Sequence, residues 1–331
     1  MPTDASPSLA LQWALLALLS LACLHPAVSP ALALGIGVVL GLAGLNPEPK
    51  RVSKAASWLL KACVVGLGFG LSLGVVLRAG ASGVAVTAVS IAGTLALGLL
   101  VGRLLRVETD ASALVSGGTA VCGGSAIAAL GPAIGASGEA MGVALACVFV
   151  LNGVALYVFP PIGHLLNLSQ PQFAMWAALA IHDTSSVVGA AAAYGTEALA
   201  QATVLKLTRA LWIVPLVLAA AAWHRRRLAA RAVSGADAVP DAPAAKPALP
   251  WFIGLFVLAS AARAALPSGA GVFDVLNAAA RRGLVVSLLL IGAGLTRATL
   301  AKVGVRPLVQ AVVVWVVVAC ATLAWVVMEV A

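Results

Sequence analysis

The strongest constraint on this chain is its series of long apolar segments, which leave little room for polar ones. Of the 331 residues, 62% are hydrophobic and 9% are charged, and the mean hydropathy is +1.08. A soluble domain carries roughly 25% charged residues, so a water-soluble fold could not cover this much apolar surface. The alternating strands of an outer-membrane barrel are absent. The sequence therefore predicts an all-α polytopic membrane protein.

Eleven apolar segments can be delimited, and they predict about 11 transmembrane helices, since one span needs about 20 apolar residues. They cover residues 9–25, 31–45, 58–78, 83–105, 112–135, 139–160, 172–194, 200–223, 251–266, 283–300 and 307–328. The first segment lacks the basic stretch that opens a signal peptide, because residues 1–8 contain Asp4 and no Lys or Arg. We therefore interpret it as an extra N-terminal helix.

The basic residues suggest an orientation in the cytoplasmic (inner) membrane. Most of the 20 Lys and Arg fall in alternate loops, and the polar stretch 224–250 opens with a cluster of them. By the positive-inside rule we predict that this linker is cytoplasmic, and we predict that both the N-terminus and the C-terminus lie outside. The linker would touch anionic lipid, so the net charge of +9 does not require a nucleic-acid partner. The five cysteines form no CxxC pair, so we expect no metal site and no cofactor.

The fifth segment contains two Gly-Gly pairs, which weaken a continuous helix by roughly 1 kcal/mol per Gly relative to Ala. Unwound backbone at membrane depth is tolerated only where protein buries it or water lines it, and broken helices in transporters point at substrates or ions. We therefore predict a broken helix with substrate-binding residues at Gly118, Thr119, Cys122, Gly123, Gly124 and Ser125. The alternative is close packing of small residues between helices.

The seventh segment contains His182 and Asp183, about 16 Å along a helix that starts near residue 172. An ionisable group at that depth is costly and suggests a functional site. We predict that this pair carries a coupling proton, with Ser185 and Ser186 on the same helix face as His182. The alternative is a neutral Asp183 that bonds a neighbouring helix, and Asn152 in the sixth segment is best explained as such an interhelical hydrogen bond.

The eighth segment contains Lys206 and Arg209, three residues apart on one helix face. Arg209 lies about 14 Å into the segment, whereas Lys206 is placed where it could extend to the membrane surface. A guanidinium pairs bidentately with sulfonate, sulfate or carboxylate oxygens, so we predict that both residues bind an anionic substrate. The alternative is that Arg209 only neutralises Asp183.

The tenth segment contains Gly292-Ala-Gly-Leu-Thr296, and Gly68-Phe-Gly-Leu-Ser72 in the third segment is similar to it. We add Gly294 and Thr296 to the predicted substrate site. The similarity allows one inverted-repeat register, and pairing segments 2–6 with segments 7–11 allows another. We favour the second register, because it makes the two Gly-interrupted segments, the fifth and the tenth, symmetry mates. It divides the chain into residues 1–30, a first repeat at 31–160 and a second at 161–331.

These strings together resemble the sulfate exporter family of YeiH-type bacterial inner-membrane proteins, from about residue 30 to the C-terminus. The resemblance is carried by Gly118–Ile127, by His182-Asp183, by Lys206 and Arg209 before Pro215, and by Gly294-Leu-Thr296. Asp183 is a conservative departure, because relatives often have Glu there. The family is similar to the bile-acid and arsenite transporter superfamily. That similarity implies two inverted five-helix repeats, a panel and a core, and two broken helices that cross near the midplane, here the fifth and the tenth.

From these features we predict a secondary transporter of a small oxyanion, sulfate or sulfonate-like, coupled to a proton. The alternative is a sodium-coupled carrier of an organic anion or a neutral solute, in which Thr119, Ser125 and unwound carbonyls hold the cation. An intramembrane enzyme is disfavoured, since no HExxH string or nucleophile–base signature is found. The expected partners are the anionic solute, the coupling ion and membrane lipid, and a homodimer is one candidate assembly.

Overall fold

The computed structural model describes residues 8–70, 73–233, 251–297 and 304–329. Most of the predicted linker and the end of the tenth segment lie outside these residues. Within the described ranges the regular structure is helical, with one short 3-10 turn at Pro267–Gly269. The α-helices are α1 Leu9–Ala22, α2 Pro30–Leu42, α3 Pro49–Gly68, α4 Leu73–Leu104, α5 Thr109–Ala120, α6 Gly124–Ala133, α7 Gly138–Leu165, α8 Gln170–Ala180, α9 Thr184–Tyr194, α10 Thr196–Leu211, α11 Ile213–Val233, α12 Trp251–Ala265, α13 Ala270–Ala293 and α14 Val305–Glu329.

Several helices begin where the sequence supplies a cap. Ser29, Ser137 and Ser169 accept hydrogen bonds from backbone N–H groups in the first turns of α2, α7 and α8. Ser169 and Gln172 form a reciprocal capping box, which satisfies two otherwise unpaired donors. These local signals explain why α2, α7 and α8 begin close to the starts of the corresponding apolar segments.

Five stretches of the described chain are long and apolar enough to span a membrane. They are Val84–Leu104, Gly138–Leu165, Thr196–Arg226, Pro267–Ala293 and Val305–Met328. The other apolar helices are shorter, so the predicted number of about 11 spans is not confirmed. The all-helical membrane architecture is confirmed.

The fifth apolar segment folds as a helix hairpin. Helix α5 ends at Ala120, and Gly123 adopts a φ of +61° before α6 begins. The two helices pack antiparallel, because Gly117 faces Leu130 and a Cβ at Gly118 would lie 2.9 Å from Ile127 Cδ1. The break predicted here is confirmed, but the second helix returns toward the start of the first. We call α5 and α6 the first hairpin.

The seventh apolar segment folds as a second hairpin. Helix α8 ends at Ala180, and α9 begins at Thr184. The start of α8 lies against the end of α9, since the Tyr194 hydroxyl donates to the Leu168 carbonyl at 2.5 Å. Gln170 Oε1 also accepts the backbone N–H groups of Glu197 at 2.9 Å and of Ala198 at 3.0 Å. We call α8 and α9 the second hairpin.

The two hairpins enter the molecule from opposite ends. Helix α7 has 28 residues and is therefore about 42 Å long. The first hairpin directly precedes the start of α7, and the second directly follows its end. Their tips, residues 121–123 and 181–183, meet near the middle: a Cβ at Gly123 would lie 3.3 Å from Asp183 Cβ.

The tenth apolar segment is interrupted as well. Helix α13 ends at Ala293, residues 294–296 are not helical, and Arg297 is helical again. The break therefore lies within the string Gly292-Ala-Gly-Leu-Thr296 that the sequence singles out. The crossing of the fifth and tenth segments, the two five-helix repeats and the location of both termini outside stay predictions.

The helices form two groups that contact each other at few places. Helices α1, α2, α3, α12 and α13 pack on one another, and we call them the scaffold. Helices α4, α7, α10, α11 and α14 surround the two hairpins, and we call these helices and the hairpins the hairpin unit. In the scaffold, α3 and α13 run antiparallel, since Gly66 lies against Ala280 and Gly283 lies against Cys63. Helices α2 and α13 approach at Gly292, where a Cβ would lie 2.5 Å from the Leu34 carbonyl oxygen.

Candidate functional site

The hairpin tips are held together by two buried cations from α10. Lys206 is 0% exposed and Arg209 is 1% exposed. Lys206 Nζ donates to the carbonyls of Val121 in the first tip, at 3.2 Å, and of Ile181 in the second, at 2.6 Å. It also contacts the Ala178 carbonyl at 3.3 Å.

Arg209 bridges the same two tips with its forked donors. Its Nε and Nη2 donate to the Ala120 carbonyl at 2.8 and 2.5 Å. Its Nη1 donates to the carbonyls of Ala178, at 3.2 Å, and of Leu179. Nη2 reaches the Thr119 carbonyl at 3.5 Å.

These contacts explain why two cations are stable in an apolar interior. The last carbonyls of a helix have no partner within the helix and form the negative end of its dipole. Lys206 and Arg209 satisfy those carbonyls at the ends of α5 and α8. Among the described residues neither cation forms an ion pair with an acid, so the alternative that Arg209 neutralises Asp183 is not supported.

Asp183 serves as the N-cap of α9 instead of lying on a continuous helix. Its Oδ1 accepts the Ser186 backbone N–H at 2.7 Å and the Ser185 hydroxyl. Its Oδ2 accepts Asn152 Nδ2 from α7 at 2.5 Å and the Ser186 hydroxyl at 3.3 Å. The predicted interhelical hydrogen bond of Asn152 is therefore confirmed, and Asp183 is its partner. The two serines face Asp183, so the expected helix face shared with His182 is wrong.

A cavity of about 640 Å³ opens beside the tips, between the hairpin unit and the scaffold. From the second hairpin only the tip and first turn of α9 line it, namely residues 183–186. From the first hairpin the lining continues along α6 from Gly124 to Ala129. The cavity therefore extends from the tips toward the base of the first hairpin.

The first turns of α6 and α9 both face this cavity, but they are capped differently. The α9 turn is capped by the Asp183 carboxylate. The α6 turn begins at Gly123, which has no side chain to cap it. The Ser125 hydroxyl lies 3.3 Å from the Cys122 carbonyl and 3.4 Å from Cys122 Sγ, and the same sulfur is hydrogen-bonded to the Ala126 backbone. A helix N-terminus attracts anions, so the backbone N–H groups of this turn can face a negatively charged group.

The opposite wall belongs to α3 of the scaffold. Ser53, Ser57 and Lys61 line the cavity at intervals of four residues, which places them on one face of the helix. The Lys61 ammonium lies 5.5 Å from the centre of the Trp58 ring. Among the described lining residues Lys61 is the basic one and Asp183 the acidic one.

The predicted site residues thus divide into two sets. Cys122, Gly124, Ser125, Asp183 and Gly294 line the cavity, and Gly123 forms the tip beside it. Lys206, Arg209, Gly118, Thr119, Thr296 and His182 are not among the lining residues. His182 is 1% exposed, neither ring nitrogen has a hydrogen-bond partner in the described protein, and its ring centre lies 6.5 Å from that of Trp315.

Sequence reasoning missed the part of the cavity wall that α3 forms. The spacing of Ser53, Ser57 and Lys61 at the start of an apolar segment was the signal for it. The same pattern is typical of the polar face at the end of an ordinary membrane helix, so it did not indicate a site. Asn152 also lines the cavity, although only an interhelical hydrogen bond was expected of it.

Comparison with known proteins places the chain in a family. A family model described as "conserved hypothetical protein 698" matches residues 8–311. The UPF0324 membrane protein Bd1437 of Bdellovibrio bacteriovorus is 46% identical over 92% of this chain and 90% of its own length. The UPF0324 membrane protein GSU2818 of Geobacter sulfurreducens is 46% identical over 91% of this chain and 92% of its own length. No solved structure matches significantly. The chain therefore belongs to the conserved hypothetical protein 698 family, whose relatives named above are UPF0324 membrane proteins.

Proposed function

We propose that this protein is a secondary active transporter of a small oxyanion, sulfate- or sulfonate-like, across the cytoplasmic membrane. The observation that carries the proposal is the pair of opposed hairpins, whose α6 and α9 N-termini face one cavity near the middle of the molecule. Interrupted helices that present their N-terminal ends at the membrane midplane are typical of transporter substrate sites.

The anion would bind at the first turn of α6. Asp183 occupies the corresponding position on α9, where its carboxyl group accepts hydrogen bonds from the first turn of the helix. The α6 turn has the backbone N–H groups of its first residues and the Ser125 hydroxyl, and no carboxylate of its own. Lys206 and Arg209 then hold the two tips together and do not contact the substrate, because their donors are engaged by backbone carbonyls.

Asp183 is the group that we assign to proton coupling. A substrate anion at the α6 turn would lie close to the Asp183 carboxylate, and like charges repel. Protonation of Asp183 would remove that repulsion, so proton binding and anion binding would favour each other. His182 is not a lining residue, and we therefore give the coupling role to Asp183 alone.

A sodium-coupled mechanism receives less support from the same contacts. Sodium would need the unwound carbonyl oxygens at the tips, and the carbonyls of Ala120, Val121 and Ile181 already accept hydrogen bonds from Lys206 or Arg209. These two side chains occupy the place where a metal cation would bind. Replacing sodium by choline in the transport assay below should leave the rate unchanged.

The two groups of helices suggest how access alternates. The base of the first hairpin lies beside Arg103, Arg106, Arg225 and Arg226, whereas the base of the second lies beside Glu197. From the positive-inside rule we infer that the first base faces the cytoplasm, together with the part of the cavity that α6 lines. Movement of the hairpin unit against the scaffold would carry the tips toward the other side.

Proteoliposomes test the proposal directly. Uptake of sulfate and of a panel of sulfonates is measured with the lumen at higher pH than the medium, so that inward proton flow drives accumulation. We expect wild type to accumulate at least one of these anions above equilibrium. Asp183→Asn should lose the pH-driven accumulation by tenfold or more while it retains anion exchange across the membrane.

The matched control is Asp274→Asn. Asp274 lies at the scaffold surface in an ion pair with Arg263 at 2.7 Å, and its side chain is 66% exposed. This variant should transport like wild type. Absence of flux for every anion in wild type would refute transport of this class, and an unaltered pH response in Asp183→Asn would refute the coupling role.

A further inference from the structure

The cavity beside the hairpin tips is much larger than a bare oxyanion requires. Its volume of about 640 Å³ corresponds to about twenty water molecules at roughly 30 Å³ each. A tetrahedral anion held by the α6 turn would fill a small corner of this space. Cavities of this size usually hold organic ligands, with mostly apolar walls and a few polar groups that fix orientation.

The walls have that character. Polar groups are concentrated at the tips and on the Ser53–Lys61 face of α3. The remaining wall is formed mainly by apolar side chains of several helices, among them Leu60, Phe149, Ile213, Trp251, Phe252 and Leu295. A small hydrated anion would gain nothing from these surfaces, whereas a ligand with an apolar body would bury its surface against them.

Lys61 is a charge for which the described residues provide no acidic partner. It lines the cavity, and its ammonium packs over the Trp58 ring. The described structure contains ion pairs at Arg51–Glu48 and Arg263–Asp274, and none at Lys61. The acid on the opposite wall, Asp183, is already bonded to Ser185, Ser186 and Asn152. A cation in a largely apolar cavity is stabilised by a bound anion.

From these observations we propose that the ligand is an amphipathic organic anion, a sulfonate or carboxylate with an apolar body, and that Lys61 supplies its counter-charge from the scaffold. The inference rests on the proposed anion transport and specifies its substrate class. The charged head lies between Lys61 and the hairpin tips, and the body lies against the apolar walls. Because Lys61 and the tips belong to different helix groups, the ligand bridges them.

A homologous series of alkanesulfonates tests the apolar part of this proposal. Binding of sulfate and of methane-, butane- and hexanesulfonate to the protein in lipid nanodiscs is measured by calorimetry. Affinity should rise by about two- to fourfold per added methylene, since each buried methylene contributes up to about 0.8 kcal/mol. Ala128→Phe, which fills the apolar wall on α6, should weaken hexanesulfonate binding and leave methanesulfonate binding unchanged.

Lys61→Gln tests the counter-charge. It should weaken every sulfonate by a similar factor of about ten or more, with the chain-length dependence retained. Lys54→Gln is the matched control, because Lys54 is exposed on α3 and does not line the cavity. The thermal denaturation midpoint of each variant shows whether it is folded.

The outcomes separate this inference from the function on which it rests. Equal affinity for sulfate and all sulfonates would overturn the organic class while leaving anion transport intact. Unchanged binding in Lys61→Gln would overturn the role of Lys61 alone. Failure of every anion to bind to folded wild-type protein would overturn the proposed function itself.

Discussion

Lys206 and Arg209 show how a charge at membrane depth can have a structural role. In an apolar sequence segment, a buried Arg suggests a ligand for an anion. Here its donors satisfy the end carbonyls of two helices that approach from opposite directions. A cation near a helix C-terminus is stabilised by the helix dipole, and two such ends converge on this pair. The energetic role of the pair is therefore to hold the hairpin tips together.

Replacing Arg209 by Met should destabilise the protein strongly. Removal of this side chain leaves the buried carbonyls that it bonds without a donor, and each costs about 1–3 kcal/mol. We expect a large fall in the thermal denaturation midpoint of Arg209→Met in the absence of any substrate. Arg225→Met, at an exposed position on α11, should denature like wild type. An Arg209→Met protein that is as stable as wild type but no longer binds anions would restore Arg209 as a substrate ligand.

At the scale of the elements, each hairpin depends on how its tip reverses the chain. The first tip uses Gly123 with a positive φ, which an L side chain adopts at a cost of about 1–2 kcal/mol. The second tip has no glycine, and Asp183 ends the turn by capping α9. Since the two tips touch, a change in one affects the position of the Asp183 carboxylate in the other.

Gly123→Ala should therefore impair both stability and binding. The positive φ at this position is strained for a residue with a Cβ. The new Cβ would also lie 3.0 Å from Val148 Cγ1 and 3.3 Å from Asp183 Cβ. We expect a loss of at least 1 kcal/mol in unfolding free energy, measured by chemical denaturation, and weaker sulfonate binding by calorimetry. Gly142→Ala in α7 is the control, because its Cβ would meet no atom within 4 Å. Equal behaviour of the two variants would contradict the role of the tip conformation.

At the scale of the whole molecule, the cavity lies at the boundary between the two helix groups. Hairpin tips, α6 and α7 form one side, and α2, α3, α12 and α13 form the other. A ligand site at such a boundary can be exposed to either face of the membrane by relative movement of the groups. In this structure it extends toward the base of the first hairpin, the end with the basic residues.

Thiol labelling can test this orientation. The native cysteines at 23, 63, 122 and 147 are buried and Cys320 is exposed, so the new thiols are introduced into a variant without these five. Ser57→Cys should react with a membrane-impermeant maleimide in inside-out vesicles, several times faster than in right-side-out vesicles. Leu166→Cys, near the base of the second hairpin, should show the opposite preference. Labelling of both positions from the same side would contradict the proposed orientation.

Composition and local sequence were sufficient for the class of protein and for several of its special positions. An excess of apolar residues over charged ones requires a membrane environment, because the few polar residues cannot cover so much apolar surface from water. The Gly-Gly pairs predicted where α5 ends, since glycine weakens a helix independently of its neighbours. The rise per residue of an α-helix, counted from the start of the seventh segment, placed Asp183 near the middle of that segment, because α8 is a regular helix.

Only the tertiary structure decided where the chain goes after each break, and which partners the buried charges choose. A sequence can end a helix, but the direction of the next helix depends on contacts between distant residues, such as Gln170 with Ala198. In the same way, Arg209 bonds carbonyls about 30 and 90 positions away along the chain. Backbone carbonyls are the same at every residue, so no sequence pattern could have distinguished these partners from an acid or a substrate.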